Sequence, residues 1–330
     1  MNKKRIAVVT GANGFVGSHL VDLLINKGYI VRCITRKSSN LQWLDLKPVE
    51  IIDCGLSDQK ALADAFKGAQ YIFHVAGVVK SKKPEGYFKG NVETTRTLLE
   101  AALTAKESLR KIVIVSSQTA CGPSLEGKPV TEETPEHPIT TYGKSKLEEE
   151  KLAKTYMDRL PVTICRAPAV YGERDTEIMI FFKTFNKGLM TTIGMKDKPL
   201  SLIHVTDLIN GFYIAARSVK SAGQIYFIGS EKYYYWKEIG EVTSIVLNKK
   251  PRLLKVPHCL VYIIAAIAQF FSIFSSKPAT LNLEKARDIV QPAWTCSTAK
   301  AMRELGYSQH ISLEEGIRKT CQWYNKMKWI

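Results

Sequence analysis

An apolar, β-branched run, Ile6–Thr10, leads without pause into Thr10-Gly11-Ala12-Asn13-Gly14-Phe15-Val16-Gly17-Ser18, and a helical pattern follows at Ser18–Asn26. Three glycines at that spacing, between a strand and a helix, leave little choice of fold. Gly11 permits the tight turn, Gly14 lets backbone N–H groups reach a pyrophosphate, and Gly17 lets helix and strand pack closely. The helix N-terminus adds partial positive charge for the phosphates. The loop predicts a dinucleotide site built from Gly11, Asn13, Gly14, Phe15, Val16 and Gly17.

The rest of the chain continues the same pattern. Strand-like runs recur at Tyr29–Thr35, Val49–Asp53, Gln70–Val75, Lys111–Ser116 and Val162–Cys165, separated by amphipathic stretches at Lys60–Phe66, Val92–Ala105 and Lys144–Tyr156. This alternation predicts βαβ units, right-handed crossovers and a parallel sheet. Near-continuous apolar strands fit a sheet covered on both faces. The expected class is α/β: a doubly wound parallel sheet (Rossmann fold) with a smaller, mostly helical C-terminal substrate-capping region. Residues 1–170 are expected to form the dinucleotide-binding domain, with further sheet elements from about 200–230, including a strand at Gln224–Ile228. Residues 171–330 are expected to be mostly cap, interleaved with the sheet, with helices near Trp236–Leu247 and at Leu313–Lys326.

Composition excludes several classes. A 45% hydrophobic and 24% charged chain is ordinary globular material. The formal charge of +16 is spread without any run of five or six cations. That describes a basic surface rather than a nucleic-acid face, and no helix-turn-helix, zinc-finger or RNP-like signature accompanies it. No nucleic-acid partner is expected. The seven Cys occur singly, with no CxxC pair and no Cys/His cluster at zinc spacing. They read as buried thiols of a reducing compartment, and no metal is expected. The N-terminus enters a strand at once, so the expected location is cytoplasmic. One segment leaves membrane association open. Cys259–Phe274 carries Leu260, Ile263, Ile264, Ile267, Phe270, Phe271 and Phe274 at helical spacing, yet is shorter than the roughly 20 residues that span a bilayer. The first expectation is a core or substrate-lining helix. The second is a helix in the membrane interface, helped by Lys250, Arg252, Lys255 and Lys277.

Where a dinucleotide fold often carries an acid for the ribose 2′-OH, this chain has Arg36 and Lys37. Cations there suit a 2′-phosphate, so NADP(H) is expected over NAD(H), with Arg32 as a helper on the same side of the strand.

Tyr142-Gly143-Lys144-Ser145-Lys146 opens a helical run. Tyr142 and Lys146 are four apart and share a helix face. A nearby ammonium, and an oxidised nicotinamide when bound, would bring the phenol pKa of about 10 down towards neutrality, making Tyr142 a general acid or base. Ser116 and Ser117 end the strand-like run KIVIVSS and offer a hydroxyl to a substrate oxygen.

Taken together, these motifs resemble the extended short-chain dehydrogenase/reductase family, also called the NAD-dependent epimerase/dehydratase family. His74-Val75-Ala76-Gly77 is similar to its HxA(A/G) segment beside the cofactor, and Asn91-Val92-Glu93-Thr94-Thr95 to its NVxGT helix start, with Thr94 in place of glycine. Arg166-Ala167-Pro168-Ala169-Val170-Tyr171-Gly172 resembles RPxxVYG, with Ala167 for proline, and Ile203-His204-Val205-Thr206-Asp207 resembles (F/I)xHVxD. The resemblance implies catalysis by Ser117, Tyr142 and Lys146, with Lys146 also on the nicotinamide ribose and Asn91 ordering a relay water. It implies cofactor contacts at Leu56, Val75, Ala76, Gly77 and Pro168, and substrate contacts at Thr119 and Tyr171. Gly55 stands where the family's GDLxD has its adenine acid, so no adenine role passes to Asp53 or Asp58. His204 and Asp207 are read as structural. Homodimerisation through paired helices is a further implication.

For the substrate, the stretch EIMIFFKTFNKGLM after Tyr171 and the lack of an arginine before His204 favour an apolar cap. These features resemble the 3β-hydroxysteroid dehydrogenase and dihydroflavonol reductase branch. The expected reaction is alcohol/carbonyl oxidoreduction of a small, hydrophobic substrate. The alternatives are a nucleotide-sugar epimerase or dehydratase, and a cofactor-binding protein without turnover.

Overall fold

The computed structural model describes residues 5–330 apart from Glu126 and residues 276–278, so Lys277 lies outside the described residues. Seven parallel strands form the main sheet: β1 Ile6–Thr10, β2 Ile30–Ile34, β3 Val49–Ile52, β4 Tyr71–His74, β5 Lys111–Ser117, β6 Val162–Ala167 and β7 Ile225–Phe227. Their spatial order is β3-β2-β1-β4-β5-β6-β7, every neighbouring pair parallel. The order reverses between β1 and β4, and the carboxyl ends of those two strands bound the crevice where such folds bind ligands.

The inner strands are mostly apolar because both faces are covered; the edge strand β3 is not fully covered, with Glu50 and Ile51 exposed. Ala7 and Val9 join one core with the helices Phe15–Asn26 and Val205–Arg217, while Val8 joins the other with Gln59–Phe66, Thr94–Leu103 and Thr141–Lys154. Side chains alternate across a strand, so successive residues bury into opposite cores. Caps fix where helices begin: Asp58 accepts from Ala61 N, and Thr140 Oγ1 accepts from Gly143 N at 3.0 Å, starting the helix that carries Tyr142.

Beyond β6 the chain builds the second, mixed region. Three two-stranded ladders join Ala169–Tyr171 with Leu202–His204, Pro199–Leu200 with Tyr234–Tyr235, and Leu189–Ile193 with Arg252–Val256. Helices Met179–Asn186, Trp236–Leu247 and Leu313–Lys326 close a core around Phe182, Ile239, Ile317 and Tyr324. The interleaving is plain, since Val205–Arg217 and β7 return to the main sheet between cap elements.

One expectation is corrected. The segment expected first as a core or substrate-lining helix does form a helix, His258–Ser272, but it turns its large side chains outward. Leu260, Ile263, Ile264, Ile267, Phe270, Phe271 and Phe274 are all exposed, and only Val261 and Ala265 are buried within it. The helix is apolar around most of its circumference, so periodicity alone does not say which side packs. The small side does, against Ala286. Among the described residues no helix is long and apolar enough to cross a membrane.

Candidate active site

The glycine loop takes the shape its sequence demands. Gly11 sits at φ +65°, and a methyl placed on it would come 2.8 Å from Ala76 Cα. One placed on Gly17 would lie 2.1 Å from the Gly11 carbonyl oxygen. Gly14 caps the following helix with extended backbone and has no side chain to occupy its N-terminus. Asn13 reaches across to the Asn40 carbonyl at 3.2 Å, Phe15 lines the large cavity described below, and Val16 packs on the core. Val75, Ala76 and Gly77 follow β4, and Gly77 faces the helix that carries Tyr142 and Lys146, where an added methyl would be 4.0 Å from Lys146 Nζ. These glycine-kept spaces, at the carboxyl ends of β1 and β4, fit a dinucleotide.

At the end of β2, Arg36 and Lys37 are exposed, as a partner for a 2′-phosphate must be. Arg32 is not available to help. Its guanidinium is held by Glu50 at 2.8 Å and by the carbonyls of Ala65 and Lys67, because it lies mid-strand opposite Glu50 on β3. Leu56 is half-buried against the core beside the loop after β3.

Ser117 ends β5, and Thr119 donates to its Oγ from both backbone N (3.2 Å) and Oγ1 (2.9 Å). Its neighbour Ser116 points the other way, donating at 2.5 Å to Glu150, which is paired with the wholly buried Arg166. The two serines thus have separate duties. Ser117, Thr119, Tyr142 and Pro168 line one cavity of about 750 Å³, whose walls include Ile178, Phe181, Leu200, Trp236 and Trp294. Tyr171 does not reach it. That side chain is buried in the cap core with its ring against His204, a correction to its expected substrate contact. The ladder between Ala169–Tyr171 and Leu202–His204 turns residue 171 inward. Asn91 is also differently occupied. Its amide receives Val78 N at 2.7 Å and donates to Val78 O and Ser145 Oγ, so both its N–H groups are spent on holding the loop after β4 to the helix Thr141–Lys154 rather than a relay water. His204 caps the helix Val205–Arg217, and Asp207 accepts from His310 N and Ile311 N, both structural duties.

Behind the cavity lies a buried polar chain that motif reading did not find. Ala76 N–H donates to Thr10 Oγ1, and Thr10 meets His74 Nδ1 at 2.8 Å. His74 Nε2 meets Thr95 Oγ1 at 2.9 Å, and Thr95 donates to Glu149 Oε1 at 2.9 Å. Glu149 closes on Lys146, one turn back along the helix. These partners assign the proton to His74 Nε2. Burial, reinforced by Lys146, holds His74 down at about 3, so it is neutral. Lys146 also donates to Val115 O at 2.8 Å. Burial pulls its ammonium down, but Glu149, Tyr142 and Glu150 together outweigh that and hold it above its ordinary value. The spacing from Lys146 to Glu149 was visible in KSKLEEEK; the burial that makes it matter was not.

Tyr142 departs from expectation in one respect. Burial pushes its phenol above the ordinary value; Lys146 pulls back, Glu149 pushes up again, and Ser117 and Lys285 pull down. In the protein alone burial wins, because the Lys146 charge is largely answered by Glu149. Lys285, paired with Asp288 at 2.7 Å on the cavity wall, is a further group that no motif announced.

Comparisons with known proteins agree with this geometry. Residues 7–229 match the family described as the NAD dependent epimerase/dehydratase family. A ceramide reductase of Caulobacter vibrioides is 28% identical over 327 residues, covering 98% of this chain and 96% of the relative. A sterol-4-alpha-carboxylate 3-dehydrogenase (decarboxylating) of Dictyostelium discoideum is 25% identical over 94% of this chain and 98% of its own length. The crystal structure of UDP-glucose 4-epimerase from Thermotoga maritima superposes with a TM-score of 0.79 at 22% identity, covering 98% of this chain and 99% of that one, a likeness of fold. With glycine loop, parallel sheet and whole-length relatives in accord, the chain belongs to the NAD-dependent epimerase/dehydratase family of extended short-chain dehydrogenases and reductases, enzymes that work with a nicotinamide dinucleotide.

Proposed function

We propose that this protein is an NAD(P)-dependent oxidoreductase that interconverts an alcohol and a carbonyl on a small, hydrophobic substrate. The observation that carries the reading is the cavity itself: Ser117 and Tyr142 open into a space walled by Ile178, Phe181, Leu200, Trp236 and Trp294. The cations on those walls, Lys80, Lys198 and Lys285, are already held by Glu177, by the Ile289 and Val290 carbonyls and by Asp288, which leaves a sugar diphosphate few partners and a lipid-like molecule many. Two of the relatives described above are named for ceramide and sterol substrates, which supports the same class.

Gly11, Gly14 and Gly17 would hold the pyrophosphate, Gly77 and Lys146 the nicotinamide ribose, and Pro168 the carboxamide side. When bound, the nicotinamide supplies the hydride acceptor or donor. Ser117 Oγ orients the substrate oxygen, and Tyr142 takes up or delivers the proton at that oxygen. Lys146 keeps positive charge beside the phenol. Arg36 and Lys37 favour a 2′-phosphate, hence NADP(H). A homodimer through helices Thr94–Leu103 and Thr141–Lys154, which pack side by side on one sheet face, belongs to the same reading.

The test is net NADPH consumption with a panel of long-chain and polycyclic ketones, beside UDP-sugars. Steady consumption with the ketones supports the proposal. Sugar conversion without net cofactor change would replace it with an epimerase.

A further inference from the structure

The outward face of the helix His258–Ser272 is a broad apolar surface on the cap. Phe270, Phe271 and Phe274 are 57%, 64% and 77% exposed, and Leu253 and Leu254 on the neighbouring strand Arg252–Val256 extend the face. Apolar surface gathered on this scale marks a contact site. Charge identifies the occupant. Residues 242–283 contain no Asp or Glu, but do contain Lys249, Lys250, Arg252 and Lys255. A further cation, Lys82, donates to the Ser275 carbonyl beyond the far end of the helix. Apolar side chains rimmed by cations alone complement an anionic bilayer surface, with acyl chains beneath phosphates. At about 1.5 Å per residue the helix is too short to span and must lie in the plane.

The helix also touches the cavity wall from behind. Val261 and Ala265 pack on Ile193, Leu281 and Ile289. Those three residues line the cavity on their other side, and Ala279–Asn282, just beyond the helix, continue its wall. The helix and one layer of side chains separate the exposed face from the cavity.

We propose that the helix His258–Ser272 and the strand Arg252–Val256 dock on an anionic lipid bilayer, so that the Ala279–Asn282 wall of the cavity meets the lipid from which the substrate is drawn. The loading step rests on the hydrophobic-substrate reading; the docking does not.

Flotation of the full-length protein with phosphatidylcholine vesicles, with and without phosphatidylserine, reads docking without turnover or cofactor. Expected is binding to the phosphatidylserine vesicles that weakens in high salt. Ile267→Ser/Phe271→Ser, and separately Arg252→Glu/Lys255→Glu, should each lower the bound fraction at least about ten-fold. These exposed positions leave the cores untouched, and retained NADPH affinity confirms folding. Loading is read by quenching of Trp236 and Trp294 with a brominated long-chain ketone. Carried in vesicles, the probe should quench the wild type and hardly the Ile267→Ser/Phe271→Ser variant; dispersed in detergent, it should quench both alike. A wild-type protein that stays off every vesicle overturns the proposal, as does one that instead self-associates through this face. Equal quenching from vesicles by both proteins overturns the loading step alone. Absence of ketone turnover would sink the proposed reaction and leave flotation to decide docking.

Discussion

The ammonium of Lys146 lies against the carboxylate of Glu149, three residues along the same helix, with both side chains shut away from solvent. A buried pair of this kind is close to neutral as seen from a third group. Tyr142, the third group here, feels Lys146 and Glu149 with opposite signs.

Removing the carboxylate removes the charge that pushes the phenol up, while Glu150 and Tyr142 itself still favour the Lys146 ammonium. With Glu149→Gln, the limb on which alcohol oxidation rises with pH is expected to move acidward, by roughly one pH unit. The sign follows because the phenol must lose its proton to act as base, and an unanswered cation favours phenolate. Glu149→Asp should restore most of the wild-type profile. A profile that fails to move in Glu149→Gln, in protein that still binds cofactor, would contradict the coupling. Some loss of stability, of about 3–5 kcal/mol, accompanies the unpaired Lys146.

The two adjacent serines should separate in turnover. Ser117→Ala is expected to lower turnover by about ten-fold or more, because its Oγ opens into the cavity, and to cost about 1 kcal/mol of stability through the lost cap on Thr119 N. Ser116→Ala should destabilise by about 1–3 kcal/mol through the buried Glu150–Arg166 pair while turnover per folded molecule holds. Thermal melts beside steady-state rates check both.

His74 makes acid stability measurable. It is wholly buried and held at about 3, below its ordinary 6.5. Above the ordinary value, folded and unfolded states both carry it neutral. As pH falls below it, only the unfolded chain takes the proton, so stability drops until the folded value is reached. Between pH 6.5 and 5 the contribution is about 2 kcal/mol. His19, held at about 4 by burial and Arg174, acts in the same direction. Denaturant unfolding of His74→Gln should show a shallower loss over that interval than the wild type.

Cofactor choice tests the end of β2. Arg36→Asp should weaken NADPH binding by about ten-fold or more and leave NADH binding nearly intact, because it removes the cation proposed for the 2′-phosphate. Unchanged preference between the two dinucleotides, measured by cofactor fluorescence titration, would remove the assignment. Gly17→Ala provides the contrasting case. Its new methyl would meet the Gly11 carbonyl, so both dinucleotides should lose affinity together.

Much of this was legible in the chain. Strands such as Ile6–Thr10 and helices such as Trp236–Leu247 and Leu313–Lys326 fall where periodicity places them, since a strand buried on both faces or a striped helix declares itself locally. The ladders of the cap did not, because strands of two to five residues carry no alternation to read. Ser117, Tyr142 and Lys146 were legible through spacing. Tyr171 and Asn91 were misread because a motif gives a residue's place on the backbone and not the direction of its side chain. The Thr10–His74–Thr95–Glu149 chain joins four separate elements and exists only in the fold. The apolar helix was recognised, but which side faces water depends on what packs beneath it.

The most direct measurement is NADPH oxidation with a hydrophobic ketone by wild-type protein and Tyr142→Phe, followed through nicotinamide absorbance alongside cofactor affinity. If Tyr142 delivers the proton, the variant keeps its affinity and loses about 10² or more in turnover. Wild-type turnover in Tyr142→Phe would contradict the site's chemistry.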